Sequence, residues 1–148
     1  MQNKTVDMAD IVPLIKEAVN SESVVSMIPR GRSMLPCICE TDVVKLEKAP
    51  PILKKYDIVL YFRRKTGVYV MHRLVKNPKK GYIFCGDNAG YPEKGVTQDD
   101  VIAVVRSVER NGREILCGAK YRFYCRTLFL RRFFIRTKSR LGRIGGKR

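Results

Sequence analysis

Two hydrophobic periods alternate with polar residues along this chain. Over about residues 7–20, Ile11, Leu14, Ile15 and Val19 recur at helical spacing. That spacing predicts an amphipathic helix packed on the domain or on a partner. Asp7 or Asp10 can cap its start, and Pro13 is tolerable only in the first turn, where its missing N–H is not needed. Ser21-Glu22-Ser23 reads as a linker. From there the period shortens to that of strands. Residues 24–28, 42–46, 58–62, 68–75, 82–85, 101–108 and 113–116 are short and mostly rich in β-branched and aromatic side chains, and turn residues separate them. Ala49-Pro50-Pro51 breaks regular structure. Residues 63–67 and 77–81 read as turns, and Asn111-Gly112 is a hairpin signal. Residues 86–100 are expected to form a long irregular loop. The body is therefore expected to be mainly β, a folded sheet or partly closed barrel. No internal repeat is visible.

The end of the chain follows neither period. Residues 120–148 hold eleven Lys and Arg and no acid. Tyr121, Phe123, Tyr124, Leu128, Phe129, Leu130, Phe133, Phe134 and Ile135 interleave with Arg122, Arg126, Arg131, Arg132 and Arg136. At helical spacing these apolar groups do not gather into one clean stripe. Arginine stems can still lie along apolar surface, and each basic residue near an anionic leaflet is worth about 1 kcal/mol. A basic-aromatic tail, helical and lying on a membrane, is the first reading, and nucleic-acid contact is the second. The expected organisation is an N-terminal helix and linker (1–23), a β domain (24–118) and this tail (119–148).

Charge and cysteines narrow the picture. The formal net charge is +16 over 148 residues, which implies an acidic partner. No helix-turn-helix, zinc-finger or RNP pattern is visible, and residues 1–23 are not expected to form a DNA-binding domain, so nucleic acid is the less favoured partner. Cys37, Cys39, Cys85, Cys117 and Cys125 form no regular frame, which points to reduced thiols. Cys37-x-Cys39 with a single histidine falls short of a four-ligand zinc set, so neither metal nor cofactor is expected. No apolar run approaches the length of a spanning helix, and the polar start of the chain is unlike a secretory signal. A cytoplasmic or peripheral location on the inner leaflet is the expectation.

Candidate chemistry begins at Gly31-Arg32-Ser33-Met34-Leu35-Pro36. Gly31 can adopt backbone angles closed to other residues, and Pro36 restricts Leu35. A serine held at such a bend can present its hydroxyl to a cleft, although these are also ordinary turn residues. A serine hydroxyl needs a neighbouring base to become a nucleophile. The one histidine, His72, falls on the same strand face as Val68, Val70 and Leu74. Desolvation there favours neutral imidazole, the form a general base requires. Such a base needs an acceptor to fix its tautomer. Two carboxylates follow in one segment: Asp87, in Cys85-Gly86-Asp87-Asn88, and Glu93.

Four of these segments, in this order, resemble the conserved boxes of signal peptidase I and the wider S24/S26 serine peptidases. Gly31 to Pro36 is similar to the serine box. Asp57-Ile58-Val59-Leu60-Tyr61 is similar to the Asp-Ile-Val strand, with Tyr56 where a glycine is usual. Met71-His72-Arg73-Leu74-Val75 is similar to the general-base box, and Gly86-Asp87-Asn88 to the Gly-Asp-Asn box. The boxes span about residues 24–108. The resemblance implies a signal peptidase/LexA-like fold, shared with the self-cleaving repressors. Histidine at the base position is similar to the endoplasmic-reticulum and archaeal type, where bacterial leader peptidases carry lysine. That type adds a second aspartate near the position of Glu93.

By this resemblance Ser33 is the nucleophile, His72 the base, and Asp87 first or Glu93 second the orienting carboxylate. Gly31, Met34, Pro36 and Asn88 shape the site. Gly31 stands where some leader peptidases place an oxyanion-hole serine, so backbone N–H groups, including that of Ser33, would serve instead. The implied activity is serine endopeptidase cleavage of a protein or peptide substrate, without the transmembrane anchor of signal peptidases. The alternative is a non-catalytic peptide-binding module, tethered by the basic tail to anionic membrane or nucleic acid.

Overall fold

The computed structural model describes residues 7–78 and 81–144. Helix α1 covers Met8–Asn20. Asp7 caps it, its carboxylate accepting from the Ala9 N–H at 3.1 Å. Val12, Ile15 and Val19 are buried, whereas Leu14 points to solvent. The buried stripe therefore includes Val12 and leaves out one of the expected four. Pro13 lies in the second turn, not the first. An interior proline costs about 3 kcal/mol. Burying three aliphatic side chains returns about 1.5–3 kcal/mol each, so the helix tolerates it.

The strands are β1 (Val25–Met27), β2 (Val43–Glu47), β3 (Ile58–Arg63), β4 (Val68–Lys76), β5 (Tyr82–Cys85), β6 (Glu93–Val96), β7 (Val101–Arg110) and β8 (Arg113–Glu114). They form one antiparallel sheet in the order β1-β2-β7-β3-β4-β5-β6, with β8 beside β7. The architecture is mainly β, as expected, and the sheet is not closed. Strand β6 lies where an irregular loop was expected. Its sequence, Glu-Lys-Gly-Val, has no β signature, and Gly95 takes a positive φ of 81°. Pairing with β5 makes it a strand. The hairpin at Asn111-Gly112 is as expected, both residues having positive φ, of 52° and 74°. The turn expected at 77–81 falls partly on Lys79 and Lys80, outside the described residues.

Strand β3 is central and explains the two-sided core. Ile58 and Leu60 enter a cluster with α1, Val44, Leu46 and Val108. Val59 and Tyr61 enter a second cluster with Leu53, Leu74, Phe84 and Val104. Tyr56, just before β3, has φ of 82°. A non-glycine residue in that region costs roughly 1–2 kcal/mol. Its N–H donates to the Leu74 carbonyl at 2.8 Å, and its carbonyl accepts from Arg73 at 3.1 Å.

Helix α2 runs from Gly118–Ile144. Cys125 and Leu128 are buried, and Tyr121 and Tyr124 pack on the core cluster beneath α1. The first part of the expected tail is thus attached to the β body; residues 145–148 lie outside the described residues. Among the described residues no helix is long and apolar enough to cross a membrane.

Candidate active site

The serine segment follows β1 as a tight turn. Gly31 has φ of 95°, and its N–H donates to Glu40 Oε1 at 2.8 Å. The Leu35 N–H donates to the Arg32 carbonyl at 3.3 Å, and the Ile38 N–H to the Met34 carbonyl at 3.0 Å. Met34 is buried and anchors the turn to the core, while Ser33 and Pro36 are exposed. Ser33 lines a cavity of about 390 Å³ together with Met8, Ile11, Met27, Tyr69 and Met71.

Asn88 holds this turn in place. Its N–H donates to the Ser33 carbonyl at 2.8 Å, and its side-chain amide donates to the Arg32 carbonyl at 3.2 Å. Gly86 permits the close approach. A Cβ there would stand 2.6 Å from the Ser33 carbonyl oxygen and 3.2 Å from His72 Nε2. The serine turn and the histidine ring nitrogen therefore converge on one point above Gly86.

His72 lies opposite Val59 in the β3–β4 pair and is only 7% exposed. Tyr61 and Arg63 share that face by strand alternation. Tyr61 Oη is 3.3 Å from His72 Nδ1 and donates to Glu93 Oε2 at 2.5 Å. Arg63 Nε donates to Glu93 Oε1 at 2.5 Å. Burial pushes the Glu93 carboxyl upward, but the hydrogen bonds from Arg63 and Tyr61 outweigh it and hold the group below its ordinary range. Burial, with Glu93 adding to it, raises the Tyr61 phenol far above its ordinary value, so the phenol keeps its proton.

This arrangement fixes the tautomer. Tyr61 has one proton and gives it to Glu93, so towards His72 its oxygen is an acceptor. Nδ1 must then carry the hydrogen, which leaves the lone pair on Nε2, the nitrogen beside Gly86 and the serine turn. Burial lowers the His72 pKa below 6.5, the nearby Arg63 charge lowers it further, and Glu93 opposes both only in part. The net shift favours the neutral ring.

No family model and no curated protein matches this chain. What the site can do rests on its own geometry. Of the two carboxylates weighed for His72, Glu93 stands beside Nδ1, at 3.7 Å. Asp87 faces elsewhere. It is fully buried, and Arg73, also fully buried, grips it with Nε–Oδ1 of 2.9 Å and Nη2–Oδ2 of 2.7 Å. The Tyr124 hydroxyl donates to Asp87 Oδ2 at 3.0 Å, and Arg73 also donates to Tyr121 Oη at 2.7 Å. Asp87 thus joins the Gly86-Asp87-Asn88 turn to β4 and α2. Its neighbour Asn88 carries that fixed position to the serine.

Sequence reasoning did not pick out Tyr61, Arg63 or Arg73. Tyr61 had a usable signal, a phenol on the neighbouring strand and on the same sheet face as the histidine. Arg73 had another, a cation on the face opposite His72 with an aspartate in the next turn. Among the described residues no group of three His, Cys, Asp or Glu could hold a metal ion. All five cysteines are free, and burial pushes the Cys37 thiol up to about 11, which leaves it unreactive.

Tyr61→Phe tests the tautomer assignment. Without the phenolic oxygen, Nδ1 loses its acceptor and the ring can place its hydrogen on Nε2. Ring nitrogen-15 chemical shifts should place the hydrogen on Nδ1 in wild type and move a larger share of it to Nε2 in the variant; identical shifts in the two proteins would contradict the assignment.

Proposed function

We propose that this protein is a serine endopeptidase of the signal peptidase-like S24/S26 kind. The observation that carries the proposal is the convergence of the Ser33 turn, at its backbone carbonyl, and Nε2 of His72 above Gly86. In the proposed reaction Ser33 Oγ attacks a substrate carbonyl while His72 Nε2 takes its proton. Glu93, acting through Tyr61, stabilises the imidazolium that forms. His72 then returns the proton to the leaving amine, and water releases the acyl group by the same route in reverse. Among the described residues nothing accepts from the Ser33 N–H, so it is free to donate to the oxyanion. The apolar cavity beside Ser33 suits an apolar substrate side chain. The neighbouring edge strand β1 offers pairing to an extended peptide.

The test is a peptide library incubated with the protein across pH, with products read by mass spectrometry. Catalysis needs neutral His72, whose pKa lies below 6.5. The rate should therefore be level at pH 7 and fall only on acidification below that value. Folding stability follows the same sign. The unfolded chain binds the histidine proton first, so stability is fully present above pH 6.5 and declines as pH falls towards the folded value. An acid limb centred above pH 7 would contradict a buried neutral base.

A second reading has one observation in its favour. Among the described residues no hydrogen bond joins the Ser33 hydroxyl to His72. The same groove could hold a peptide without cutting it. Peptides bound but never cleaved at any pH would select that reading, a membrane-tethered binding module.

A further inference from the structure

Helix α2 has two apolar faces. The inner one, with Tyr121, Tyr124, Cys125 and Leu128, is spent on the body of the protein. The outer one holds Phe123, Phe129, Leu130, Phe133 and Phe134, which are between 46% and 69% exposed. The arginines divide the same way. Arg131 donates to the Asp87 carbonyl at 3.3 Å, Arg132 donates to the Cys85 carbonyl at 3.5 Å, and Arg136 lies over the Tyr91 ring at 5.6 Å. Arg122 and Arg126 are exposed, on the side of Phe129 and Phe133 by helical spacing.

We propose that the outer face of α2 lies on an anionic lipid surface, its four phenylalanines and Leu130 entering the headgroup–acyl boundary and Arg122 and Arg126 pairing with lipid phosphates. The charge is complementary, since residues 120–148 contribute eleven positive charges of the net +16 and no acid. Large apolar side chains beside arginines on one exposed helix face fit a surface that is apolar within and anionic at its rim. A nucleic acid would satisfy the arginines but leave most of that apolar area in water. Because Arg131 holds α2 to the turn that carries Asn88, with Arg132 on Cys85 just before it and Arg136 on Tyr91 just after, docking would also set the orientation of the Ser33 cavity towards the bilayer. The proposal does not depend on catalysis.

Flotation of the full-length protein with vesicles tests it. The vesicles are phosphatidylcholine alone, or phosphatidylcholine with about a third phosphatidylglycerol. Wild type should float with the anionic vesicles and much less with the neutral ones. Phe129→Ser with Phe133→Ser, both solvent-facing, should reduce binding by about a hundredfold or more, the low end for two phenylalanines leaving an apolar phase. Arg122→Gln with Arg126→Gln should weaken binding at low salt and matter less at high salt. Unchanged flotation of the phenylalanine variant would overturn the proposal. So would tighter binding to a nucleic-acid oligomer that survives that variant. A wild-type dimer in sedimentation that becomes monomeric in the variant, with no vesicle binding by either, would overturn it in favour of a second copy of this chain.

Discussion

Ser33→Ala should abolish peptide cleavage, by a factor on the order of 10⁴ or more, since removing one member of a nucleophile–base unit costs nearly as much as removing all. Stability should stay within roughly 0.5 kcal/mol of wild type, as for other surface substitutions. Ser33 is exposed, and its hydroxyl has no hydrogen-bond partner among the described residues. Its carbonyl, which Asn88 uses, is unaffected by the change. Cleavage rates on a library peptide, read beside a urea denaturation curve, separate the two quantities. Undiminished cleavage by a folded Ser33→Ala protein would remove Ser33 from the reaction.

Asp87→Ala should act in the opposite way, on folding first. Arg73 is 0% exposed and gives two hydrogen bonds to Asp87. Removing one partner of a buried pair leaves the other charge uncompensated, at about 3–5 kcal/mol. Against a whole-domain stability of about 5–15 kcal/mol, that is a large fraction. The Tyr124 hydroxyl and α2 lose an anchor in the same step. The urea midpoint should therefore fall sharply. If Asp87 instead served chiefly to orient His72, the variant would fold like wild type and lose only activity.

These two outcomes divide the carboxylates by physics rather than by sequence position. Both lie within seven residues of each other, and either spacing allows a reach to His72. The outcome depends on the cation each meets across the fold. Arg73, one residue from His72, points to the other face of β4 and takes Asp87. Arg63, two residues from Tyr61 on β3, takes Glu93 and leaves its second oxygen to Tyr61. Alternation along β4 was legible, and so was the neutral character of His72. The pairing of β5 with β6, which delivers Glu93, was not, because Glu93-Lys94-Gly95-Val96 carries no strand signal of its own.

Helix α2 shows a related limit. Its apolar residues did not resolve into one stripe along the sequence because they serve two surfaces on opposite sides. Tyr121, Tyr124, Cys125 and Leu128 face the body, and Phe123, Leu130 and Phe134 face outward. A single hydrophobic direction averages the two away. By contrast, Asn111-Gly112 and the short alternating strands were readable because turn chemistry and period are local.

The central claim is that Ser33 is an activated nucleophile and that His72 activates it. A serine-directed acylating probe, applied to wild type, Ser33→Ala and His72→Ala and mapped by mass spectrometry, tests it most directly. The account predicts a single modified peptide containing Ser33 in wild type and no modification in either variant, with all three proteins folded by circular dichroism. Labelling of Ser33 that persists in His72→Ala, or no labelling of folded wild type, would contradict it.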